Sequence, residues 1–122
     1  MDTPIRIGVI GIGGRGRIAQ QWKREDGLSK VAGGADVTDK YVEEFREFHG
    51  DDVFFTNDPH ELIARDDLDA IAVTSPDFTH EEYAVAALEA GRHVFCEKPL
   101  AITIEGCDRI LEAWRASGKH LM

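Results

Sequence analysis

Ile5-Arg6-Ile7-Gly8-Val9-Ile10-Gly11-Ile12-Gly13-Gly14-Arg15-Gly16 is a short apolar run that breaks into a glycine-rich bend. Helix-compatible sequence follows, with Ile18 and Trp22 spaced to form an inner face. Strand, G-x-G-x-x-G and helix in that order are the signature of a dinucleotide site. Gly11 lets the chain turn sharply off the strand, and Gly13 leaves room for a pyrophosphate to approach the backbone. Gly16 lets the helix pack close to the strand. The N–H groups left free at the helix start, those of the Ile12, Gly13 and Gly14 stretch, then face the phosphates, with the positive end of the helix dipole behind them. Arg15 and Arg17 add positive charge at the turn, either reaching a phosphate or lying solvated on the first helical turn.

A glycine turn has little specificity by itself. Its partner is an acid about 20 residues further on, at the end of the second strand. Asp36 stands twenty residues after Gly16 and closes the segment Lys30-Val31-Ala32-Gly33-Gly34-Ala35-Asp36. A carboxylate there accepts hydrogen bonds from a ribose diol and repels a 2′-phosphate, which favours NAD over NADP.

Outward from this unit, strand and helix patterns alternate to the end of the chain. That order predicts an α/β fold, a doubly wound parallel sheet covered by helices. Strands are expected at about residues 5–10, 30–35, 53–55, 69–74 and 93–96. A helix from Asp39 to His49 carries Tyr41, Val42, Phe45 and Phe48 at helical spacing and stops at Gly50. Asp58-Pro59-His60-Glu61 reads as a helix start, with Asp58 as cap, Pro59 in the first turn and Glu61 reaching back. Thr79 and Glu82 read as a capping box over a helix that runs to Ala90. The last helix, from Thr103 to Gly118, places Cys107, Ile110, Leu111 and Trp114 on one stripe. Lys119-His120-Leu121-Met122 looks like the opening of a sixth strand. A parallel sheet whose last strand is only begun exposes an unpaired edge. Residues 1–122 are therefore expected to be the front domain of a longer protein.

Bulk properties narrow the function. A length of 122 residues suits one domain with one core. A net charge of −9 argues against nucleic acid, whose phosphates need clustered Lys and Arg. It does not argue against a dinucleotide, whose phosphates are held by local backbone N–H groups. No apolar stretch approaches the ~20 residues of a membrane span, and Met1-Asp2-Thr3-Pro4 is no signal peptide, so a cytoplasmic location is expected. Cys96 and Cys107 lack the spacing of a zinc site and read as small core residues; no metal is expected.

In an open α/β sheet, ligands bind beyond the carboxyl ends of the strands, where the strand order reverses. Besides the glycine turn and Asp36, two segments end there: Thr74-Ser75-Pro76 and Glu97-Lys98-Pro99. The second places a lysine beside the nicotinamide end of the cofactor. Its ammonium can hydrogen-bond a substrate oxygen or exchange a proton with it. Glu97 can orient an amide or balance that charge. His80 opens a helix near the same edge and either touches cofactor or substrate or decorates the first turn. His49, His60, His93 and His120 have no catalytic companions in sequence and read as surface or packing residues.

Gly11 to Gly16, Asp36, the stretch from Thr74 to His80, and Ala90-Gly91-Arg92-His93-Val94-Phe95-Cys96-Glu97-Lys98-Pro99 together resemble the N-terminal domain of the glucose–fructose oxidoreductase and inositol dehydrogenase family. The last block is the most specific, and the resemblance covers essentially the whole chain. It implies an NAD(P)-dependent oxidoreductase of sugars, cyclitols or related alcohols, homo-oligomeric when complete. It implies that Lys98 contacts nicotinamide and substrate hydroxyl, that Ser75, Pro76 and His80 line the cofactor cleft, and that Glu97 lies near the nicotinamide ribose. The family's C-terminal α+β substrate domain is absent from these 122 residues, so the chain alone is expected to bind NAD with little or no turnover. A nucleotide sensor without catalysis is the competing reading, and Lys98 speaks against it. A methyltransferase is disfavoured, because no acid precedes Gly11 on the first strand and Glu-Lys-Pro has no task in methyl transfer.

Overall fold

The computed structural model describes residues 3–122. Five strands are separated by helical segments: β1 (Ile5–Ile10), β2 (Ser29–Ala35), β3 (Phe54–Thr56), β4 (Ala70–Val73) and β5 (His93–Cys96). They form one sheet in the order β3-β2-β1-β4-β5, and every pair is parallel. The chain winds outward from β1 through β2 to β3, then returns to lay β4 on the other side of β1. The order thus reverses beside β1, and the crevice of a doubly wound sheet opens there.

Neighbouring strand residues point to opposite faces, and the two cores follow from that. Ile10, Ile71, Val73 and Val94 pack with Leu62, Leu88 and Ile110, from α2 (Pro59–Ile63), α3 (His80–Glu89) and α4 (Ile104–Ser117). Val9, Val31 and Ala72 pack on the other face with Ala19 and with Phe45 of α1 (Val42–His49). Strands this apolar on both sides are those of a covered parallel sheet.

Several local expectations are corrected. The segment after the glycine turn, Gly14–Trp22, is a 3₁₀ helix, and Gly16 and Ala19 are its buried residues while Ile18 is only half-buried. Three residues per turn aim a different face at the sheet than an α-helix would. The next helix starts at Val42 rather than Asp39. Asp58 does cap α2, accepting from the His60 N–H at 3.0 Å, but Glu61 accepts from the Thr56 hydroxyl instead of reaching back to the cap. Thr79 and Glu82 form no capping box. The Thr79 hydroxyl donates to the Pro76 carbonyl at 2.6 Å, and Glu82 pairs with His60. Trp114 lies exposed on α4, where Gly106 and Ile110 are the buried positions. The opening of a sixth strand is present: Leu121 bridges Val94 in parallel, with Cys96 N–H donating to the Met122 carbonyl. Among the described residues, no helix is long and apolar enough to cross a membrane.

Candidate functional site: the crevice beside β1

Four strand ends meet at the reversal. Gly11 leaves β1 with φ +85°, a conformation that L side chains rarely adopt, and its N–H donates to the Ala35 carbonyl at 2.8 Å. Gly16 lies so close to this turn that a Cβ on it would sit 1.9 Å from the Gly11 carbonyl oxygen. Only glycine fits there, as the sequence predicts. Thr74, at the end of β4, closes the turn from the other side. Its buried hydroxyl lies 2.9 Å from the Gly11 carbonyl and 3.0 Å from that of Ile10. That hydroxyl therefore stiffens the turn instead of lining the crevice.

The N–H of Ile12 donates to Asp36 Oδ2 at 3.0 Å, and the Thr38 N–H donates to Oδ1 at 3.2 Å. The Ile12 side chain is buried in the core beside Phe45. The residue thus acts on the site through Asp36. Each Asp36 oxygen retains a second lone pair, which suits the diol of a ribose. Among the described residues, no protein group accepts from the N–H groups of Gly13, Gly14 and Arg15. Three donors in sequence at a glycine bend make an anion-binding cradle, and the open space around Gly14 leaves it accessible.

Gly13 has a different neighbour from the one its motif predicts. The ring of Tyr41 fills the room its missing side chain leaves, and a Cβ there would sit 2.5 Å from the ring. The glycine is needed for packing against protein, whatever else approaches it. Nothing in the sequence pattern pairs Tyr41 with Gly13, because the contact depends on how the loop after β2 folds back.

Arg15 and Arg17 part company. Arg17 is paired with Glu44 of α1 at 3.0 Å, away from any phosphate. Arg15 reaches across the crevice and donates through Nε and Nη2 to Glu97 Oε2, at 3.1 and 2.8 Å. The other Glu97 oxygen accepts from the Lys98 N–H at 2.9 Å. That N–H first, and then the Arg15 guanidinium, hold the Glu97 carboxyl below the usual carboxylate range.

Lys98 itself is exposed, and among the described residues its ammonium has no ion-pair partner. The Lys98–Pro99 peptide is cis. Ser75 and Pro76 form the facing loop, with the Ser75 and Thr79 hydroxyls 2.7 Å apart. His80 is only 1% exposed and sits behind both loops rather than in the crevice. Its Nδ1 lies 2.7 Å from the Pro99 carbonyl oxygen and its Nε2 2.9 Å from that of Ser75. The expected cleft-lining role is therefore corrected: both ring nitrogens are engaged inside the protein. Beside Lys98, burial pushes the Cys96 thiol up to about 12, which leaves it protonated and unreactive at neutral pH.

A reversal crevice with a glycine cradle on one strand and a carboxylate on the next defines a dinucleotide-binding domain. Comparison with known proteins agrees. Residues 5–122 match the oxidoreductase family with an NAD-binding Rossmann fold, and the chain belongs to that family. An inositol 2-dehydrogenase from Paracoccus denitrificans is 43% identical over 97% of this chain and 35% of its own. A probable dehydrogenase from Thermotoga maritima superimposes with a TM-score of 0.88 at 36% identity, covering 97% of this chain and 35% of that one. A biliverdin reductase from Synechocystis, solved with biliverdin and NADP⁺, gives 0.88 at 28% identity, over 98% of this chain and 37% of that one. The chain spans about 35% of the length of the curated relatives it matches.

Proposed function

We propose that this chain is the NAD-binding domain of a dehydrogenase that moves a hydride between the cofactor and a sugar, cyclitol or related alcohol. The observation that carries the reading is Asp36. Its carboxylate is fixed by the Ile12 and Thr38 N–H groups, next to a turn with three N–H donors free. A negative group at that place accepts from a ribose diol and opposes a 2′-phosphate, so NAD is favoured over NADP. The matching family is described as NAD-binding and one relative is solved with NADP⁺, so the choice between the two rests on Asp36.

A bound nicotinamide supplies the hydride chemistry. The chain supplies position and charge. The Gly13, Gly14 and Arg15 N–H groups hold the diphosphate, and Asp36 orients the adenosine ribose. The Lys98 ammonium, free of other partners, donates to the substrate oxygen and exchanges a proton with it. Glu97, held by the Lys98 N–H, offsets the lysine's charge. Residues 1–122 form the cofactor domain, and a further domain of the complete protein forms the substrate wall. The inositol 2-dehydrogenases among the relatives make a polyol the first substrate class to assay.

Lys98→Ala in the complete protein tests the assignment. Turnover is expected to fall at least about a hundredfold with NAD affinity nearly unchanged. Unchanged turnover overturns the catalytic role and returns the chain to a nucleotide-sensing module.

A further inference from the structure

His80 is the first residue of α3, whose other buried positions are Ala84, Ala87 and Leu88. An apolar side chain would complete that face. The chain instead buries an imidazole there with 1% exposure and points each nitrogen at a backbone carbonyl from a different loop. One carbonyl belongs to Ser75, in the crossover after β4. The other belongs to Pro99, the residue after Lys98.

We propose that His80 is a positioning residue for Lys98, its Nδ1–H donating to the Pro99 carbonyl so that the lysine leaves the sheet edge at a fixed place. The proposal rests on Lys98 being the group that meets substrate. The main chain of Lys98 is then held on both sides. Upstream, Glu97 N–H donates to the Val73 carbonyl at 3.0 Å, and Lys98 N–H donates to Glu97 Oε1 at 2.9 Å. Downstream, the Pro99 carbonyl is anchored to His80 at 2.7 Å. Only the flexible lysine side chain remains free to reach a ligand. The Ser75 contact, at 2.9 Å, sets the ring itself against the loop after β4. A buried carbonyl left without a donor is costly, so the Pro99 strut is not replaceable by packing alone. Reacting groups must be held to within a fraction of an ångström, and loops do this poorly unless anchored.

Asn and Gln separate the struts. The amide nitrogen of Asn falls near the Nδ1 position of a histidine, and that of Gln near the Nε2 position. His80→Asn therefore keeps a donor for Pro99, His80→Gln places one at Ser75 instead, and His80→Leu has neither. The readout is the backbone order parameter of Lys98 and Leu100 in the cofactor-free chain, so it is independent of whether NAD binds. Wild type and His80→Asn are expected near the rigid value of about 0.85, with His80→Gln and His80→Leu falling below about 0.6. Equal values in all four chains overturn the proposal, as does equal loosening in all three variants, which marks an ordinary core histidine. A second measurement needs no variant. In the wild-type chain, long-range proton–nitrogen spectra of the His80 ring are expected to show a proton on Nδ1. A bare Nδ1 facing Pro99 overturns the proposal even where every variant fails to fold. Turnover of Lys98→Ala in the complete protein tests the underlying reading of Lys98 separately.

Discussion

Arg15 and Glu97, eighty-two positions apart in sequence, pair at 2.8 Å across the crevice beside β1. One stands on the glycine turn and the other directly precedes Lys98. The pair bridges the glycine turn and the loop that carries Lys98. Arg15 is 70% exposed and Glu97 16%, so solvent screening keeps the pair weak and readily opened. Arg15→Ala is expected to change NAD affinity less than threefold, with Glu97 still held by the Lys98 N–H. A loss of tenfold or more, measured by calorimetry, contradicts this and makes Arg15 a direct phosphate ligand.

Asp36→Ala removes the acceptor of the Ile12 and Thr38 N–H groups. Hydrogen bonds to a charged group are worth about 1.5–3 kcal/mol each. NAD affinity is expected to fall at least about tenfold, and the gap between NAD and NADP to narrow. A wild-type chain that binds NADP more tightly refutes this account of Asp36.

Gly13 and Tyr41 form a two-residue test. Gly13→Ala drives a methyl into the Tyr41 ring. If phosphate approach is what needs the glycine, Tyr41→Ala in the same chain restores stability without restoring NAD affinity. Thermal unfolding and calorimetry on the single and double variants separate the two. Full recovery of affinity in the double variant means that the glycine serves packing alone.

Gly16→Ala meets backbone rather than a movable side chain, at 1.9 Å from the Gly11 carbonyl oxygen. The strand, turn and 3₁₀ helix cannot separate without breaking the bonds of Gly11 and Thr74. A loss of at least about 3 kcal/mol in denaturant unfolding is expected. A loss below about 1 kcal/mol would falsify the close approach.

His49 governs the acid side of the stability curve. Burial pushes its imidazole down to about 4 from 6.5, with Lys23 adding to the shift. The unfolded chain therefore binds this proton before the folded chain does. Stability is fully present above about pH 6.5 and is lost as pH falls from there toward 4. The ring is only half-buried, so screening limits the effect to on the order of 1–2 kcal/mol. His49→Gln is expected to flatten that part of the curve, and an unchanged pH dependence counts against the burial argument.

Element order, the parallel sheet and the glycine–carboxylate pairing were legible because each rests on local chemistry. Glycines at fixed offsets, a buried strand and an acid at its end need no knowledge of distant neighbours. The misreadings share the opposite cause. Thr79 and Glu82 have the spacing of a capping box, but a 3₁₀ turn over Asp77–Thr79 turns the threonine hydroxyl back to Pro76. Tyr41 against Gly13 and His80 against Pro99 are contacts between segments far apart in sequence. Periodicity within one element carries no trace of them. His80 is legible as a residue opening a helix near the strand ends, but nothing local tells that its ring is buried.

The central claim is that the turn after β1 cradles a diphosphate. Titrating the ¹⁵N-labelled chain with NAD and following the backbone amides tests it most directly. The account predicts that the Gly13, Gly14 and Arg15 amides move first and furthest, with the Ile12 and Thr38 amides following as Asp36 engages the ribose. Amides at the turn that stay still up to ~10 mM NAD, with or without shifts elsewhere on the domain, contradict it.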